Sequence, residues 1–68
     1  MAKRLYQCGD TLWSRSLEDG HTIKLPAGST FFYDEGQISD DVLITIDNHN
    51  YSTERSAFLA AKCAPKNQ

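Results

Sequence analysis

The stretch DVLITID (residues 41–47) alternates apolar and polar side chains through most of its length. Val42, Ile44 and Ile46 point to one side of an extended chain, Leu43 and Thr45 to the other, a period of two that no helix satisfies. β-Branched residues dominate it, as suits a pleated, half-buried surface. The same period returns in TLWSRSLEDGHTIKLP (11–26), on both sides of Glu18-Asp19-Gly20. It returns again in STFFY (29–33), where Phe31 and Tyr33 share a face opposite Phe32. PAGS (26–29) and DNHN (47–50) have the composition of turns, and RLYQC (4–8) reads as an earlier strand. The chain is expected to be mostly β.

Length sharpens that expectation. A 68-residue chain is one domain at most, here 1–68, and it buries only roughly 60% of the surface its unfolded form exposes. Disulfides, a metal or a partner subunit are the usual reinforcements at this size. With 40% hydrophobic and 24% charged residues, the chain has the make-up of a globular domain and not of a disordered tail.

In the first hairpin, a type I turn with Gly20 in the left-handed region pairs Leu17 with His21, Arg15 with Ile23 and Trp13 with Leu25. That register places Trp13, Leu17, Ile23 and Leu25 on one buried face. The C-terminal NYSTERSAFLAAKCAP (50–65) supports two readings. Helix propensity favours a helix capped by Ser52 and stopped at Pro65. Alternatively, a return strand from Tyr51, a single helical turn at RSAFL and a last strand at AAKCA close the structure. The second order of events resembles the end of SH3-like small barrels over residues 42–64. The expected fold is therefore a small antiparallel SH3-like barrel or a twisted sheet of about five strands, with a short helical turn or C-terminal helix near residues 54–63. Residues 65–68 are expected to fray.

Charge is unevenly distributed. Residues 25–53 hold Asp34, Glu35, Asp40, Asp41 and Asp47 and no Lys or Arg, whereas both flanks are net positive. Polyanion binding needs clustered cations to displace counterions from phosphates. Lys3, Arg4, Arg15, Lys24, Arg55, Lys62 and Lys66 are scattered, so direct nucleic-acid binding is disfavoured and a small-barrel nucleic-acid binder stands as an alternative. No apolar run approaches the roughly 18–20 residues of a membrane span. MAKRLYQCGD lacks the apolar stretch of a secretory leader, so a cytoplasmic location is expected.

Chemistry-bearing residues are few. Cys8, His21, His49 and Cys63 make a zinc ligand set by type, but structural sites draw ligands in close pairs and these are widely spaced. A zinc-stabilised domain is thus a second alternative, and no metal or cofactor is expected. Cys8 and Cys63 come together if the first and last strands are neighbours, either as a disulfide or as two buried thiols. There is no nucleophile elbow and no phosphate-binding glycine loop. The pairs Asp34-Glu35 and Asp40-Asp41 lie in a polar loop with nothing to desolvate them. No catalytic residues are assigned, and the chain is expected not to be an enzyme.

STFFYDEGQISDDV (29–42) carries the functional expectation. Adjacent phenylalanines in a strand face opposite ways, and a small barrel has one inside. Either Phe32 or the Phe31/Tyr33 pair must stand partly in water beside the carboxylates, the composition of a protein-binding patch. Phe31, Phe32, Tyr33, Asp34, Glu35, Asp40 and Asp41 are the candidate partner-binding residues. They suit a non-enzymatic adaptor or inhibitor that binds a basic surface of another protein, possibly a nucleic-acid-handling one. A homodimer is compatible with this reading.

Overall fold

The structure, a computed structural model, describes residues 3–66. Each alternating run forms a strand: β1 (Lys3–Gln7), β2 (Leu12–Ser16), β3 (Thr22–Leu25), β4 (Thr30–Asp34), β5 (Asp41–Ile46) and β6 (His49–Glu54). A short helix α1 (Arg55–Ala60) and a two-residue strand β7 (Ala64–Pro65) complete the chain. The strands make one antiparallel sheet in the order β3-β2-β6-β5-β4-β1-β7, open between its edges β3 and β7. Seven strands stand in this sheet against the five or so expected, the seventh being the two-residue β7.

The inner face follows the period of two. Tyr6, Leu12, Leu25, Phe31, Tyr33, Val42 and Ile44 are buried there, with Phe58 of α1 covering them. The Tyr33 and Phe58 rings lie 4.9 Å apart and Tyr6 meets Tyr33 edge-on at 4.9 Å. Such pairings add to the stabilisation from area alone.

The β2–β3 register differs from expectation by one residue. Leu12 pairs with Leu25, Trp13 with Lys24, Ser14 with Ile23 and Arg15 with Thr22. The connection is accordingly longer, with the Ser16 N–H on His21 O at 2.8 Å and the Gly20 N–H on Ser16 O at 3.0 Å. Gly20 does take the positive φ expected of it, 78°. Because a one-residue slip exchanges the faces of a strand, Leu12, Ser14 and Ser16 point inward while Trp13 and Leu17 stand in water. The reason lies across the sheet: α1 packs over β2, β5 and β6. Two serines leave room for it where a tryptophan and a second leucine would not.

At the C-terminus the short-turn reading is the one found, with adjusted limits. Ser52 lies within β6 and caps nothing, and Glu54 makes no capping bond. The first helical N–H, that of Arg55, is instead satisfied by Asp40 O at 2.9 Å. The helix runs through Ala60, so the last strand begins only at Ala64, the final residue of AAKCA. Ala64 pairs with Gln7 and Pro65 with Tyr6, and the Lys66 N–H reaches Leu5 O at 2.9 Å. Of the tail expected over 65–68, residues 67 and 68 lie outside the described residues.

Candidate protein-binding face

The ladder pairings lay out the outer face of the sheet row by row. Asn50, Thr45, Phe32 and Leu5 form one row across β6, β5, β4 and β1. Thr22, Arg15, Ser52 and Leu43 form the next across β3, β2, β6 and β5. Beyond it, Asp41 stands opposite Glu54 and Trp13 opposite Lys24. Phe32, Leu43, Leu17 and Trp13 are each about half exposed. Leu17, Phe32 and Leu43 line a hollow of about 220 Å³ whose polar lining includes Lys3, Asp34 and Thr45.

The expected site residues divide between the two faces. Phe31 and Tyr33 belong to the core, at 2% and 7% exposure, which leaves Phe32, at 49%, as the aromatic of β4 that meets solvent. Glu35 accepts a hydrogen bond from the Tyr6 hydroxyl at 2.5 Å and an ion pair from Arg4 at 3.4 Å. Burial, and then the bond to Glu35, push the Tyr6 phenol up to about 12. Asp34 receives the Gly36 N–H at 2.9 Å, which shapes the start of the loop.

Asp40 and Asp41 are exposed at the other end of that loop. Like charges placed directly opposite one another, as Asp41 and Glu54 are, cost stability. Arg55 lines the same hollow as Asp40, Asp41 and Glu54, with its Nε bonded to Ser39 O at 2.9 Å. The result is a negative end to the outer face, one row from exposed leucine and next to exposed tryptophan.

The loop between β4 and β5 is built, not slack. The Gln37 side-chain amide donates to Leu43 O at 2.8 Å and accepts from the Leu43 N–H at 2.7 Å. It thereby stands in for a strand residue where the β4–β5 ladder ends. Ser39 Oγ donates to Asp41 O at 2.7 Å. Ile38 stands at the loop's surface, 97% exposed, between these anchors.

Between β2 and β6 the pairing covers only Arg15–Ser52 and Ser16–Tyr51. Past it, the Thr53 hydroxyl donates to Trp13 O at 2.8 Å. The strands part there into a cleft of about 340 Å³ whose lining includes Trp13, Arg15, Asp41 and Glu54.

Leu17, Ile38, Leu43 and Glu54 are not marked as partner-binding by the sequence, and Trp13 is left by it between patch and core. The expected hairpin register sets Trp13 and Leu17 on a face with Ile23 and Leu25, whereas both stand in water. For Leu43 the alternation of DVLITID already placed it opposite the core residues, and its neighbours across the sheet were missing. Nothing local marks Ile38 or Glu54.

The proposed zinc ligands are not brought together. His21 sits with Asp19, whose carboxyl is held below the usual range by hydrogen bonds from His21, and His49 Nδ1 lies 2.9 Å from Glu18. Cys63 packs against the core cluster that holds Cys8, and among the described residues no three or more His, Cys, Asp or Glu side chains form a metal-binding group. Among the described residues no helix is long and apolar enough to cross a membrane. In comparisons with family models, curated proteins and solved structures, nothing matches this chain.

Proposed function

We propose that the chain is a non-enzymatic interaction module, an adaptor or inhibitor that binds a basic surface of a partner protein through the outer face of its sheet. One observation carries this reading. Half-exposed Phe32, Leu43, Leu17 and Trp13 share a face with Asp41 and Glu54, and Asp40 adjoins them. Exposed apolar groups supply contact area and affinity, while the acidic end selects cations and speeds encounter. The cleft beside Trp13 suits an arginine or lysine of the partner, which would stack on the indole and relieve the Asp41–Glu54 repulsion. Such a partner surface is typical of proteins that handle nucleic acid, and occupying it would block the polyanion site.

The architecture we infer is an incompletely closed SH3-like barrel. An apolar strand, a tight turn, a return strand, a short helix at RSAFL and a final strand beside the first support that assignment. A scaffold of this kind presents side chains from a rigid sheet, which lowers the ordering cost of binding.

The test titrates an arginine-rich peptide into labelled protein and follows backbone amide shifts. The expected shifts map to Trp13, Phe32, Leu43 and the 38–41 loop, weaken with added salt, and disappear in D40N/D41N/E54Q. Shifts confined to the inner face or to β7, or binding that ignores those substitutions, would sink the proposal. A parallel titration with single-stranded and duplex DNA is expected to leave the spectrum unchanged. Salt-dependent DNA shifts would favour the nucleic-acid alternative.

A further inference from the structure

Cys8 lies just past β1, 2% exposed. Its N–H donates to Ser29 O at 3.0 Å and its carbonyl accepts the Gly28 N–H at 2.8 Å, so both main-chain groups turn toward the β4 side. In an antiparallel sheet, a residue bonded to one neighbour occupies a non-hydrogen-bonded position toward the other, where facing Cα atoms approach to about 4.5 Å. β7 lies on that other side, with Tyr6 opposite Pro65 and Gln7 opposite Ala64. One further step of the register sets Cys8 against Cys63. Both cysteines are free, Cys63 packs against the core cluster that holds Cys8, and the Cys8 thiol donates to Ser29 O at 3.6 Å. Bridged cysteines have Cα separations of roughly 4.4–6.8 Å, so the backbone already holds the pair in range.

We propose that Cys8 and Cys63 form a reversible intramolecular disulfide, a redox-controlled staple that ties edge strand β7 to β1, with a small-molecule disulfide as the oxidant. Cys63 is the more exposed of the two. Its thiolate attacks one sulfur of the reagent and expels the other as a thiolate. Cys8 then loses its proton and attacks the Cys63 sulfur, expelling the second reagent thiolate. Two protein S–H bonds and one reagent S–S bond become one protein S–S bond and two reagent S–H bonds, and two electrons pass to the reagent.

Burial and the neighbouring thiol push Cys63 up to about 12, and burial raises Cys8 as well. Thiolate is therefore scarce near neutrality, and closure accelerates as pH rises. A bridge from 8 to 63 constrains nearly the whole unfolded chain, which corresponds to a rise in melting temperature on the order of 10 °C.

The experiment incubates the reduced full chain with oxidised glutathione across a pH series, followed by intact mass, thiol count and melting temperature. Expected are loss of both thiols with no glutathione retained, a monomer on a non-reducing gel, a rate that climbs with pH, and a higher melting temperature reversed by dithiothreitol. C8S is expected to trap Cys63 as a mixed disulfide with glutathione. A lasting mixed disulfide in the unaltered chain, a disulfide-linked dimer, or a bridge that lowers the melting temperature would overturn the proposal. The unaltered chain decides the outcome whatever the stability of the variant.

Discussion

Tyr6 shows how a single side chain joins core and surface. Its ring packs against Tyr33 and Phe58, while its hydroxyl reaches Glu35 at the rim. Burial and that bond keep the phenol neutral in the folded state, where its ionisation is raised from 10.0 to about 12. The unfolded chain therefore loses this proton first as pH rises. The stabilising contribution is complete below pH 10.0 and declines as pH climbs toward about 12. Chemical denaturation over that range is expected to show falling stability, with a shallower slope in Y6F. In a C63S background the same comparison removes the thiol's parallel contribution. At neutral pH, Y6F is expected to cost about 1–2 kcal/mol through the lost bond to a carboxylate. Gln37 offers a second check, because its two bonds to Leu43 close an unfinished ladder. Q37A is expected to lose about 1–2 kcal/mol in urea melts and to speed amide exchange at Leu43.

Among the elements, the two tight connections differ in how openly they declare themselves. Asp47 and Asn48 both adopt positive φ, 51° and 66°, as a two-residue hairpin turn requires. Their residue types mark that turn in the sequence. N48G is expected to stabilise the β5–β6 hairpin by about 0.5 kcal/mol, since glycine meets less steric resistance there. A thermal melt that fell instead would place the strain elsewhere. In the first hairpin, Gly20 marks the turn, yet the residue count between strands depends on what the helix can pack against. Ser14 and Ser16 take the inward positions of the strand that α1 packs over, and no pattern within residues 11–26 contains that information. The short helix likewise begins where Asp40 O meets the Arg55 N–H, a contact fifteen positions apart in the chain.

For the molecule as a whole, one open sheet sorts the side chains into a sealed inner face and a mixed outer one. Removing charge from the acidic end separates folding from recognition. D40N/D41N/E54Q is expected to leave the melting temperature unchanged or slightly raised, because the repulsion between Asp41 and Glu54 disappears. A large loss of stability in that variant would mean the carboxylates serve the fold, and any effect on peptide binding would then be indirect. The edges β3 and β7 carry unpaired backbone groups, the usual route to strand-to-strand association. Lys24 on β3 and Pro65 on β7 oppose such pairing, one by charge and the other by its missing N–H.

Sequence alone establishes that Val42 and Ile44 share a side opposite Leu43, and that Phe31 and Tyr33 share a side opposite Phe32, because the pleat leaves no other choice. It also establishes where the acidic stretch lies. Packing across the sheet chooses the register of the first hairpin, and with it whether Trp13 is core or surface. The reason is that alternation specifies relative orientation along one strand, whereas the choice of inside is made by volumes contributed from distant segments. Glu54 meets Asp41, and Cys8 meets Cys63, only through strand order, a property of the assembled sheet that no single stretch of residues holds.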